Sequence, residues 1–216
     1  MVRTTQAAEE LLADAFACRY RYAPEHPGWT AHCRFRDETG EVDAIVGMTS
    51  CDDIEAVPTE AVPVALAELL AQDARSLGRA LFGHDYAQGE GRFDKSLDDT
   101  PHPLGQLVVL HDDPHEATFR IRQRRITMAT RRQGPLLESV RVDRWHTRPD
   151  GRWLPAQWVA EVWDDAIVGP LVSVRYWDLF WPFGGELVPQ LRRVDLTDDL
   201  GVTVGRSLNF AEWQLG

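Results

Sequence analysis

The sequence predicts an α+β fold in which an antiparallel sheet of nine to eleven strands is covered by two main helices. Three observations predict it. Between residues 118 and 165, run after run alternates apolar with polar residues, the period of strands with one covered face. Two other stretches, one near the amino terminus and one around residue 70, repeat their apolar residues at helical spacing. Strands and helices do not alternate along the chain, which argues against a parallel sheet.

Residues 4–18 read as an amphipathic helix, with Leu11, Leu12, Ala15 and Phe16 on one side and Glu9, Glu10 and Asp14 on the rest. Pro24 and Pro27-Gly28 end it. Trp29, Ala31, Cys33 and Phe35 then alternate with Thr30, His32, Arg34 and Arg36, and Val42, Ala44, Val46 and Met48 resume the pattern after a turn at 37–40. That is a hairpin, and a short run at 54–57 adds a strand. Over residues 59–82, Leu66, Leu69, Leu70, Leu77 and Leu81 mark the second helix, with Pro63 in an early turn. Residues 83–105, rich in Gly, Asp and Pro, read as a long loop able to gate a pocket. Strands fill the rest: 107–111, a hairpin built on Phe119, Ile121, Ile126 and Met128, then 139–147, 154–164, 171–180, 187–196 and 202–213. The turns at 148–151 and 198–201 carry the Pro, Asp and Gly that tight reversals need.

A chain of 216 residues with 44% hydrophobic and 26% charged residues is ordinary globular material, long enough for one domain with a real core. It has no run near the ~20 apolar residues of a membrane span. Its first thirteen residues lack the apolar centre of a signal peptide, so a cytoplasmic protein is expected. Cys18, Cys33 and Cys51 form no CxxC and read as small buried thiols. A net charge of -11 argues against nucleic acid as a partner. Even so, Arg120, Arg122, Arg124, Arg125, Arg131 and Arg132 fall within thirteen residues. They form either a solvated, salt-bridged strand face or a docking patch for an acidic carrier protein or anionic ligand.

Polar residues that interrupt an apolar strand face are the candidates for chemistry, because a buried charge must be paired or used. Arg144 and His146 continue the face of Val140 and Val142; Asp178 shares a face with Val172, Val174, Tyr176 and Phe180; Arg206 shares one with Val202, Val204, Leu208 and Phe210. These groups form either structural ion pairs or the polar floor of a tryptophan-walled pocket between the sheet and the second helix. In a pocket, Asp178, Glu161 or His146 would accept a proton as the catalytic base. Arg144, Arg206 and Tyr176 would bind the substrate and a developing anion, and Trp158 and Trp163 would form the walls unless they simply fill core. Such chemistry requires no cofactor. The cluster His111-Asp112-Asp113-Pro114-His115 has metal-ligand types but falls where a turn is expected, and His84-Asp85 is a weaker pair, so no metal site is assigned. No GxSxG, phosphate loop, dinucleotide fingerprint or HExxH is present.

The stretch ACRYRYAPEHPGWTAH after the first helix, with GRWLPAQWV and GGELVPQLRRV later, resembles an uncharacterised bacterial domain-of-unknown-function family over nearly the whole chain. That family is similar to the lipoprotein-carrier half-barrel. The resemblance implies a curved sheet closed by helices over an apolar cavity, one half-barrel domain spanning residues 1–216. More loosely, the length and tryptophan-rich second half resemble an aziridine-forming cyclase of antibiotic biosynthesis. That likeness implies ring closure by intramolecular displacement of sulfate, on a substrate held by a carrier protein. Two functions therefore stand. One is a cofactor-independent tailoring enzyme, favoured by the charged residues on apolar faces; the other is a non-catalytic carrier of a lipophilic small molecule in the same cavity.

Overall fold

The computed structural model describes the backbone of residues 2, 3 and 5 and all of residues 6–83, 85–98 and 100–216. In chain order these form β1 (Val2–Arg3), α1 (Thr5–Ala17), β2 (Trp29–Arg36), β3 (Glu41–Met48), β4 (Ile54–Pro58) and α2 (Val64–Phe82). A short 3-10 helix (Glu90–Arg92) and β5 (Asp94–Asp98), β6 (Gln106–His111), β7 (Thr118–Arg122), β8 (Arg125–Gln133) and β9 (Leu136–Thr147) follow. The chain closes with β10 (Trp153–Asp164), β11 (Pro170–Phe183), β12 (Glu186–Asp198) and β13 (Thr203–Leu215). The α+β class and the two helices are as expected. The strand count is higher: the described residues hold twelve strands of five residues or more and one of two residues, not nine to eleven.

Contacts divide the chain into two compact units. The first comprises Met1–Tyr20, His84–Arg175 and Leu196–Val202. Its strands run in the order β1-β5-β6-β7-β8-β9-β10 and on to residues 170–175 of β11. Helix α1 covers them, placing Ala8, Leu12 and Ala15 against Leu97, Val108, Leu110, Phe119, Ile121, Ile126 and Trp153. The Trp153 indole nitrogen donates to the Arg124 carbonyl at 3.0 Å, so this large core ring leaves no polar atom stranded.

Strand β5 corrects the reading of 83–105 as a gating loop. Its sequence, DKSLD, has one apolar residue in five, and one of its two buried positions is a lysine. The Lys95 ammonium sits 2.6 Å from Glu9 Oε2 on α1 and donates to the Phe93 carbonyl at 2.6 Å. The other Glu9 oxygen accepts from Tyr86 at 2.8 Å, and buried Glu90 accepts from Arg131 at 2.8 Å. The segment is thus fastened to α1 and to β8. His84 and Asp99 lie outside the described residues.

The second unit comprises Arg21–Gly83, Tyr176–Asp195 and Thr203–Gly216. From residues 176–183 of β11 its strands run β12-β13-β2-β3-β4. Strands β2 and β3 bury alternate residues without exception and pair Phe35 with Val42, so their hairpin keeps the register the sequence implies. Asp37 closes the turn by accepting from Thr39 N at 2.7 Å and Gly40 N at 3.1 Å. Helix α2 begins five residues later than expected, with Pro63 at its N-cap. The delay has a cause: Thr59 is held in extended pairing by the Asp43 carbonyl, which accepts from its backbone N at 2.8 Å. In β13 one extra residue bulges between Ala211 and Gln214, with Glu212 at φ 55°. Trp213 packs beside it, its ring 4.7 Å from that of Trp29 and 5.6 Å from Phe210.

Candidate functional site

The strongest concentration of buried charge lies in the second unit, where β11, β12, β13 and α2 each contribute one residue. Alternation along β11 turns Asp178 and Phe180 inward, β13 does the same for Arg206 and Leu208, and β12 for Arg192 and Val194. Helix α2 brings Asp73 down on the same face as Leu70, Ala74 and Leu77. Arg192 Nε and Nη2 donate to the two Asp178 oxygens at 2.6 and 2.7 Å, a bidentate pair that is 0% and 2% exposed. Arg206 grips Asp73 in the same way, at 2.5 and 2.9 Å. The two pairs are linked, since Arg192 Nη1 also donates to the Asp73 backbone carbonyl at 3.3 Å and its guanidinium lies 5.1 Å from the centre of the Tyr176 ring.

The four formal charges sum to zero. Burial opposes the charge on Arg192 and Arg206, but the carboxylate opposite each outweighs it and holds both guanidiniums above their ordinary range. Burial also pushes the Tyr176 hydroxyl up, so it stays protonated. Asp178 and Arg206 therefore point inward, and each is gripped by an oppositely charged partner: Asp178 by Arg192 and Arg206 by Asp73. Those partners, Asp73 and Arg192, are the residues sequence reasoning missed. A signal existed for both: Asp73 breaks the leucine stripe of α2, and Arg192 shares the parity of Val188 and Val194. The face of α2 where a pocket was expected is occupied by these pairs.

The remaining candidates, Arg144, His146, Trp158, Glu161 and Trp163, belong to the first unit. Arg144 was expected on an apolar face and is instead exposed. The ladder between β9 and β10 is irregular where Gln157 faces Arg144, so the simple alternation fails there, and Trp145 is the residue that packs onto the α1 core. His146, Trp158, Glu161 and Trp163 are half-buried. Around them, Ala160 and Val162 on β10 and Leu171, Val172 and Val174 on β11 are apolar but only half-buried as well.

Each of the six clustered arginines is engaged within the first unit. Arg120 and Arg122 donate to the carbonyls of Gly105 and Pro103, Arg124 pairs with Asp14, Arg125 donates to Thr147, Arg131 pairs with Glu90, and Arg132 with Asp165. This favours the salt-bridged face over a docking patch for a carrier protein. In the 111–115 cluster, His111 Nε2 lies 2.8 Å from Ser96 Oγ, and Asp113 caps the turn by accepting from Ala117 N at 2.9 Å. No group of three or more His, Cys, Asp or Glu among the described residues is placed to hold a metal ion. A shallow cleft of about 770 Å³ lies over β13, β2 and β3, lined by the Arg34–Asp43 ion pair and by His32, whose Nε2 is 3.5 Å from a Glu212 oxygen. None of the candidate residues lines it.

A family model described as a protein of unknown function, DUF3386, matches residues 3–215. The chain belongs to the DUF3386 family. No curated protein matches it. Among solved structures it is similar to a LolA-superfamily protein from Nitrosomonas europaea, at 14% identity over 99% of this chain and 94% of that one, with a TM-score of 0.41. It is also similar to a DUF1329-family protein from Desulfovibrio piger, at 7% identity over 98% and 92% of the two chains, with a TM-score of 0.28. Likenesses of that degree say nothing about what this chain binds. The aziridine-forming cyclase finds no support in the family or among these structures.

Proposed function

We propose that this DUF3386 chain is a non-catalytic binding protein for a lipophilic small molecule. The observation that carries the reading is the apolar surface of β10 and residues 170–175 of β11. Trp158, Ala160 and Val162 on one face of β10 are all only half-buried, and Leu171, Val172 and Val174 on β11 are half-buried too, where a closed core would bury one face completely. Apolar surface left in contact with water forgoes about 25 cal/mol per Å² that a lipophilic ligand would recover by covering it. Trp158 offers a flat apolar wall on that face of β10. Arg144 and His146 lie further along β9, beyond Val142, the partner of Trp158. The reading needs no cofactor. An enzyme built on Asp178 is the weaker alternative, because both oxygens of that carboxylate are already held by Arg192.

A fluorescent long-chain fatty acid titrated into the purified protein tests the proposal. Saturable binding is expected, weakened tenfold or more by Trp158→Ser, with thermal unfolding little altered. Equal affinity in wild type and variant would remove the ligand seat from these strands.

A further inference from the structure

We infer that His26 is a pH-sensitive latch, which holds the loop of residues 21–28 against α2 and β12 while its ring is neutral and lets go when the ring is protonated. The geometry fixes the state of the ring. The Gly28 backbone N–H can only donate, and it does so to His26 Nδ1 at 2.9 Å, so Nδ1 is the bare nitrogen and Nε2 carries the proton. A protonated ring has an N–H at both nitrogens and would turn a donor toward a donor. His102 accepts from Leu104 N in the same way at 3.1 Å, but that ring is exposed.

What the His26 ring covers sets it apart. It stacks on Tyr22, with centroids 4.1 Å and planes 18° apart, and meets the edge of Phe82 at 6.2 Å. Tyr22 is buried; its backbone N donates to the Leu81 carbonyl of α2 at 2.9 Å and its hydroxyl to the Leu187 carbonyl of β12 at 2.6 Å. Gly28, at φ 86°, cannot swing away from a protonated ring. A Cβ there would stand 2.5 Å from the Met48 carbonyl oxygen, and the Gly28 carbonyl accepts from Gly216 N at 3.2 Å. The ring itself must leave, and Tyr22 is then uncovered. From α2 the ring meets Phe82, which carries no charge, from β12 Glu186, and along its own loop Tyr22 and the exposed Glu25. Among the described residues, Glu186 is the charge that acts on the imidazole and favours its protonation, but burial weighs more and holds it below its ordinary value of 6.5. The latch is therefore complete above that value, weakens as pH falls below it, and is lost once the ring of the folded chain takes up a proton.

This inference goes beyond the binding reading and does not depend on it. Nuclear magnetic resonance of the full chain tests it. At pH 7.5, His26 Nδ1 is expected to show the nitrogen shift of a bare ring nitrogen, and the ring to titrate with a midpoint below 6.5. Between pH 7.5 and pH 5 the Tyr22 and Gly28 amides are expected to lose protection against exchange at least threefold, after correction for the pH dependence of exchange itself, while the amides of β2 and β3 keep theirs. In His26→Asn, whose side-chain oxygen accepts from the Gly28 N–H without titrating, that loss is expected to vanish. A proton on Nδ1 at pH 7.5, or equal protection at the two pH values, overturns the inference. So does a loss that spreads equally over β2 and β3 or persists in His26→Asn. Should the variant lack a cooperative melt, the ring titration decides, because a midpoint at or above 6.5 overturns the inference as well.

Discussion

Asp178 and Arg192 show how a residue pattern can be read correctly and still mislead about role. Parity along β11 was enough to place Asp178 on an inward face, but the carboxylate found its counter-charge fourteen residues away on β12. Removing one member of a fully buried pair leaves the other desolvated and unpaired. Asp178→Ala should therefore destabilise the protein by roughly 3–5 kcal/mol in urea unfolding. Replacing both partners, Asp178→Leu with Arg192→Met, should recover most of that loss, because no charge is left stranded. A single variant as stable as the wild type would show that the pair does not hold these strands. Arg144 is the opposite case, since a local irregularity opposite Gln157 put it in solvent, and no alternation rule can foresee an irregularity.

At the scale of elements, strands rich in apolar residues were readable, and β5, with one apolar residue in five, was missed. Strands β2 and β3 bury every second residue, so their existence, faces and turn all follow from the sequence. Strand β5 buries Lys95, which is possible only because Glu9 arrives from α1 to neutralise it. Glu9→Ala should leave that ammonium with carbonyl acceptors alone and Tyr86 without its own acceptor, at a cost of roughly 1–3 kcal/mol. Amide exchange over residues 86–98 should speed up. Unchanged exchange there would mean the segment is held by something other than this pair. Helix α2 was legible from its leucines, whereas its start was not, because the preceding residues are drawn into pairing with β3.

At the scale of the molecule, neither compact unit is continuous in sequence. The core of the first unit needs Ala8, Leu12 and Ala15 from the amino-terminal helix, although most of its strands lie in residues 84–175. A fragment spanning residues 84–175 should therefore fail to fold alone, showing no cooperative thermal transition by circular dichroism. A sharp transition would mean that α1 is dispensable to that core. The sequence by itself determined the α+β class, the two helices, the faces of the regular strands and the inward turn of Asp178 and Arg206, because periodicity records which side of an element meets water. Only the tertiary structure decided that Asp73 and Arg192 claim those charges, that Lys95 can be buried, and that the apolar residues of β10 and β11 stay half-open. Each of these depends on a partner distant in the chain, and local spacing carries no record of that partner.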